Sequence, residues 1–146
     1  MDKFIIGIDP GVKGGIAVID LCSEELLEYA YFNEDRYCEI MKKYKGDVLL
    51  EQVHSMSKQG VKSTFSFGVN YGIMKGIAYC TNHPIIEISP QKWKRYFNLH
   101  NDKSESIKLA HKYYEVDLNI GKRKVIESDG IAEAILIAKY GLEHTN

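Results

Sequence analysis

Apolar and polar positions divide the chain into short apolar runs and longer stretches with helical spacing. Phe4 to Asp9 is a nearly unbroken apolar run and reads as a buried strand. Pro10 to Gly14 supplies a glycine-rich turn, and Gly15 to Asp20 reads as a second strand; Leu26 to Phe32 predicts a third. From Asp35 to Tyr44 the period changes, with Tyr37, Ile40, Met41 and Tyr44 on one helical face. Val48 to Val53 is again a short strand, interrupted by Glu51. After a polar loop from His54 to Lys62, a long helix is expected from about Ser63 to Thr81, then a strand from Ile85 to Ile88. Pro90 opens a short helix bearing Trp93. Asp102 or Ser104 caps a helix reaching Tyr114, and a last helix runs from about Asp129 to Tyr140, with Gly141 ending it.

Antiparallel strands followed by strands alternating with helices predict an α/β architecture: a mixed five-stranded sheet flanked by helices. The 146 residues, 45% of them hydrophobic, suit a single domain over 1-146 without repeat or linker. The first apolar segment is too short, and too broken by glycines and Pro10, for a signal peptide or membrane span. Three cysteines (Cys22, Cys38, Cys80) without CxxC spacing argue against a disulfide framework or a cysteine zinc site and point to a cytoplasmic location.

Net charge is only −1, but its distribution is uneven. Acids dominate Asp20 to Asp47. Gln52 to Ile86 contains no acid but carries Lys58, Lys62 and Lys75, and bases exceed acids from Ser89 to Lys124, through Lys92, Lys94, Arg95, Lys103, Lys108, Lys112, Lys122, Arg123 and Lys124. A polyanion along one face would favour this segregation; a solvated helical surface is the plainer alternative.

Four acids stand out. Asp9 closes a hydrophobic strand just before a tight turn, where its carboxylate needs a cation or hydrogen bonds, or caps the turn itself. Glu51 interrupts a run that otherwise reads as a buried strand, an uncommon place for a Glu. Asp129 and Glu133 lie four residues apart, about 40° around a helical axis, on a helix otherwise built of Ile131, Ala132, Ala134, Ile135, Leu136, Ile137 and Ala138. Asp129 also suits a helix N-cap. Clustered carboxylates are how proteins hold magnesium or manganese.

Other chemistries fail on spacing. The five histidines (His54, His83, His100, His111, His144) form no pair at helical ligand spacing, and neither GxSxG nor GxxxxGK[ST] occurs. Trp93, with Tyr96 and Phe97, reads as a core anchor or, beside Lys92, Lys94 and Arg95, as a contact to a nucleic-acid backbone. Gly68, Gly72 and Gly76 recur every fourth residue in the long helix, a costly choice that suits close approach of another backbone, within this chain or from a second copy.

The motifs Gly7-Ile8-Asp9-Pro10-Gly11, Leu50-Glu51-Gln52-Val53 and Asp129-Gly130-Ile131-Ala132-Glu133-Ala134, in that order on strand, strand and helix, resemble RuvC-type Holliday junction resolvases, particularly the short phage-type branch. The resemblance runs from Phe4 to Gly141 and extends to His54-Ser55-Met56-Ser57-Lys58-Gln59-Gly60 and Ser89-Pro90-Gln91-Lys92-Trp93-Lys94. It implies a ribonuclease H-like fold and two-metal phosphodiester hydrolysis with magnesium or manganese, leaving a 5′-phosphate and a 3′-hydroxyl. Asp9 would bridge two ions, Glu51 would hold one, and Asp129 and Glu133 would complete the set. It places Lys103 where the family has a lysine near the scissile phosphate, although the residue also reads as a solvated lysine at a helix start. It implies a homodimer on branched DNA, with His54, Met56, Lys58, Lys62, Lys92, Lys94, Arg95 and Lys103 facing the nucleic acid, and no small-molecule cofactor; a phage or mobile-element source would suit the short branch. Two features depart from the family. Many members space their last two acids three apart rather than four, and many carry an aromatic where this chain has His54-Ser55-Met56. Two further readings stand beside the resolvase: a nuclease with broader taste for flaps and forks, and a branched-DNA binding module without catalysis.

Overall fold

The computed structural model describes residues 3–54, 57–118 and 125–144, with side chains of the last segment from residue 129 onward. Elements follow the order β1 (Phe4–Asp9), β2 (Gly15–Asp20), β3 (Leu26–Tyr31), α1 (Glu34–Lys43), β4 (Gly46–Glu51), α2 (Val61–Cys80), β5 (Ile85–Ile88), α3 (Pro90–Tyr96), α4 (Lys103–Tyr114) and α5 (Val125–His144). The five strands form one sheet in the order β3-β2-β1-β4-β5. The tight turn after Asp9 makes β1 and β2 antiparallel, and β3 continues antiparallel. Helical crossovers return the chain so that β4 runs parallel to β1 and β5 parallel to β4. The expected mixed five-stranded sheet between helices is thus present.

Period-2 alternation sends residues of β1 to opposite faces. Ile6 and Ile8 join Ile16, Val18, Val48 and Leu50 beneath α1 and α2, where Tyr37, Ile40, Met41, Met74 and Ala78 complete one core. Ile5 lies on the other face with Ala17, Ile19 and Leu49, against α3, α4 and α5. The same parity carries Gly7 and Asp9 to the α5 face, and Leu49 and Glu51 likewise.

Helix α5 is the central piece of that second layer. Its Ile131, Ala132, Ala134, Ile135, Leu136, Ile137 and Ala138 are all buried, consistent with a helix apolar all round. It comes close enough to β1 that a Cβ on Gly7 would lie 2.3 Å from the Ala134 carbonyl oxygen. At its start, a Cβ on Gly130 would lie 2.0 Å from the Lys13 carbonyl oxygen, so helix and β1–β2 turn touch backbone to backbone.

Three expectations need correction. Helix α5 begins before Asp129, so Asp129 sits inside the helix and is not its N-cap. Gly141 does not end α5, which runs on to His144; a Cβ at Gly141 would fall 2.8 Å from Leu49 Cδ1, so the glycine lets α5 pack closely on Leu49 and Ile5 of the sheet. Third, Gly68, Gly72 and Gly76 do not serve close packing within the chain, since a Cβ on any of them meets nothing within 4 Å. Strand β4 also begins and ends two residues earlier than its apolar pattern suggests, because pairing with β1 starts at Gly46 and the chain leaves the sheet after Glu51. Asp102 is the N-cap of α4, accepting a 2.9 Å hydrogen bond from the Ser104 amide. Among the described residues no helix is long and apolar enough to cross a membrane.

Candidate active site

The parallel register sets the first half of the site. Ile8 pairs with Leu50, so Asp9 and Glu51 occupy the next rung of adjacent strands, pointing to the same side, at the C-terminal edge of the sheet. Helix α5 crosses that edge and brings Asp129 and Glu133, one turn apart on one face, over the two strand acids. Glu133 is within hydrogen-bonding reach of Asp9. Four carboxylates from three elements distant in sequence therefore meet in one partly enclosed place.

The electrostatics are unfavourable by construction. Burial, then the charges of Glu133 and Glu51, with Asp129 adding to them, hold the Asp9 carboxyl well above the usual carboxylate range, although the Gly11 amide donates to Oδ1 at 3.2 Å. Asp9 thus does cap its turn, as one sequence reading proposed, while also facing the other acids. Burial pushes Glu51 up to about 7, against the hydrogen bond from Trp93 and with Glu133 raising it further. Burial raises Glu133 too, opposed by Lys94 and aided by Asp129. Desolvated carboxylates that repel one another bind protons or cations to relieve the strain.

Three donors answer the acids. The Trp93 indole Nε1–H donates to Glu51 Oε2 at 2.7 Å. Lys94 Nζ lies 3.3 Å from Glu133 Oε1, and Lys103 Nζ lies 3.1 Å from Asp129 Oδ2. Burial alone would lower the Lys94 pKa, but Glu133 and Glu51 outweigh it and raise it. Among the described residues, no three acidic, histidine or cysteine side chains already stand in ligand geometry, and three of the four acids are engaged by these donors instead. The donor set nevertheless fits a hard divalent cation. All four side chains offer carboxylate oxygens, and Asp129 Oδ1 is buried without a hydrogen-bond partner.

The acids Asp129 and Glu133, with Lys94 and Lys103, border a cleft of about 210 Å³ that is also lined by Leu99, His100 and Asn101. Those last three residues and Lys94 also line a wider groove of about 690 Å³ that runs past Arg95, Asn98 and Pro90. Lys92 and Arg95 are exposed on α3. Lys58 and Lys62 are exposed near the start of α2, and His54 borders a separate small hollow with Phe67 and Tyr71. Met56, with Lys122, Arg123 and Lys124, lies outside the described residues.

Sequence reasoning understated two residues. Lys94 is half-buried among the acids rather than only facing outward, and Trp93 is both a core anchor, 0% exposed, and the partner of Glu51. The available signal was their position: α3 directly follows β5, which pairs with β4, so its first turns must lie beside the end of β4.

The sheet order, the crossing helix and the acids at the strand ends define a ribonuclease H-like fold with a carboxylate site. Among solved structures, the chain is similar to Thermus thermophilus RuvC in complex with a Holliday junction substrate, with a TM-score of 0.69, 18% identity, and coverage of 98% of this chain and 97% of that one. Thermus thermophilus RuvC in a second structure gives a TM-score of 0.61 at 18% identity over 94% of this chain and 95% of that one. The fowlpox virus Holliday junction resolvase gives 0.61 at 17% identity, covering 98% and 99%. No family model matches the chain, and no curated protein matches it by sequence.

Proposed function

We propose that this chain, folding as one domain, is a divalent-metal-dependent endodeoxyribonuclease that resolves four-way DNA junctions. The observation that carries the reading is the convergence of Asp9, Glu51, Asp129 and Glu133 at one sheet edge, buried enough to raise three of their pKa values. A pure binding module gains nothing from buried carboxylates facing phosphates. The full-length likeness to two resolvase folds, one solved with a junction, supports the choice of substrate.

Asp9, central to the cluster, would hold two magnesium or manganese ions, Glu51 would hold one of them, and Asp129 and Glu133 would complete the set. Such a pair, when bound, supplies an ionised water near neutral pH and stabilises the departing 3′-oxygen. The chain's own groups do the rest. Lys94 and Lys103, whose ammonium groups border the same cleft as Asp129 and Glu133, would stabilise the charge that develops on the scissile phosphate. Lys92 and Arg95 on α3, and His54, Lys58 and Lys62 around the start of α2, hold the flanking backbone. Products carry a 5′-phosphate and a 3′-hydroxyl.

Assembly follows from α2. Val61 (87% exposed), Phe65 (73%) and Tyr79 (79%) share its outer face with Val69 and the glycines 68, 72 and 76. An apolar face with a small-residue stripe covers itself against a second copy, and a two-fold homodimer would present two sites to opposite strands of the junction. The free cysteines suit a reducing compartment.

Purified protein mixed with a synthetic four-way junction, with and without magnesium or manganese, tests the proposal. Paired symmetric nicks with 5′-phosphate ends are expected. Asymmetric cutting of flaps and forks would replace it with a broader branched-DNA nuclease, and binding without metal-dependent cutting would overturn catalysis.

A further inference from the structure

Four acids meet at the site, but they are not held alike. Asp129 and Glu133 are each matched by a lysine, whose positive charge any incoming cation must displace. Asp9 takes an amide from its own turn. Glu51 is held by a neutral donor, the Trp93 indole N–H, at 2.7 Å.

The origin of that contact lies in how α3 is built. Ser89 caps the helix by accepting from the Lys92 amide, and Pro90 fixes its first turn immediately after β5. Because Ile88 of β5 stands beside Glu51 of β4, the first turn of α3 lies over the end of β4. Trp93 then drops into the apolar core on the α5 side of the sheet and is fully buried. An indole has one donor and no acceptor, and a buried one needs a partner. Here the surrounding core is apolar and the acceptor is Glu51 Oε2.

We infer that Trp93 is a positioning residue for divalent-cation binding: its N–H fixes the Glu51 carboxylate in the site while adding no charge that would compete with the cation. The hydrogen bond engages Oε2, so Oε1 is not taken up by the indole. Packing locks the indole, so Glu51 is oriented before anything binds, in the manner of supporting partners around metal ligands. The contact also couples α3, which carries Lys92, Lys94 and Arg95, to a ligand on the sheet. This inference rests on the nuclease reading.

Trp93 is the chain's one tryptophan, which makes the test specific. Manganese chloride alone is titrated calorimetrically into the full-length protein, its Trp93→Phe variant, and two forms made in a tryptophan auxotroph. One carries benzothienylalanine, which keeps the fused ring but lacks the N–H; the other carries 5-fluorotryptophan, which keeps both. Junction binding in chelator and the manganese concentration giving half-maximal cleavage are read alongside. The expected result is manganese affinity weakened about tenfold or more in Trp93→Phe and in the benzothienyl form, affinity retained in the fluorotryptophan form, and unchanged junction binding throughout. Should Trp93→Phe fail to fold, the benzothienyl form keeps the core volume and decides. Equal manganese affinity in the benzothienyl and fluorotryptophan forms would overturn the role of the N–H while leaving the nuclease reading intact. Unmodified protein that neither binds manganese nor cuts the junction would overturn both.

Discussion

Glu51 gives the most direct test of the electrostatic reading. Its carboxyl is pushed up to about 7 in the folded protein against a reference of 4.5, chiefly because burial takes it out of water, and despite the hydrogen bond from Trp93. Below pH 4.5 the group is protonated in both folded and unfolded chains and costs nothing. As pH rises from 4.5 through 7, the unfolded chain releases this proton first, so stability is lost, and above 7 the loss levels off. A shift from 4.5 to about 7 corresponds to roughly 3 kcal/mol. Glu51→Gln keeps an acceptor for Trp93 and removes the charge, so metal-free variant and parent should match near pH 4.5 and separate in the variant's favour toward pH 8. For a chain of this length, that separation amounts to a rise in Tm of roughly 6–12 °C. Thermal and urea unfolding in chelator across this pH range measures it, and added magnesium should narrow the gap by stabilising the parent more than the variant. A variant less stable than the parent at pH 8, or a gap that does not vary with pH, would refute the claim that Glu51 is a strained, desolvated carboxylate.

Other outcomes follow from the same structure. Asp9→Asn removes the carboxylate at the centre of the cluster and should lower metal-dependent junction cleavage by more than the roughly 10–100-fold typical of losing a supporting partner, with junction binding in chelator preserved in gel-shift assays. Phe65→Glu places a charge on the exposed α2 face; it should leave the stability of the single subunit within about 0.5 kcal/mol, yet shift the protein to monomer in analytical ultracentrifugation. Gly130→Ala gains about 1 kcal/mol of helix propensity but drives a methyl into the Lys13 carbonyl, so a net loss of roughly 1–3 kcal/mol is expected in urea melts, together with reduced cleavage as Asp129 is displaced.

The amino-acid sequence determined the parts of this protein that depend on local pattern. Apolar runs bounded by Pro10, Gly11 and Gly14 give β1 and β2, four apolar positions at helical spacing give α1, and Ser89-Pro90 and Asp102 start α3 and α4. It also put Asp9, Glu51, Asp129 and Glu133 forward as the chemistry, because acids inside apolar segments are costly and need a reason.

Tertiary structure decided what depends on register and approach. Only the β1–β4 pairing, Ile8 against Leu50, makes Asp9 and Glu51 neighbours, and only the seat of α5, on Gly7 of β1 and through its own Gly130 against the β1–β2 turn, sets Asp129 and Glu133 above them. The reversal of reasons at Gly141 and Gly68 has the same cause. A glycine in a sequence records that something comes close or that nothing fills the space, but which of these holds is a property of distant chain segments. Trp93 belongs here too. Its burial was legible in its chemistry, but the acceptor of its N–H lies 42 residues away and is fixed by the pairing of β5 with β4.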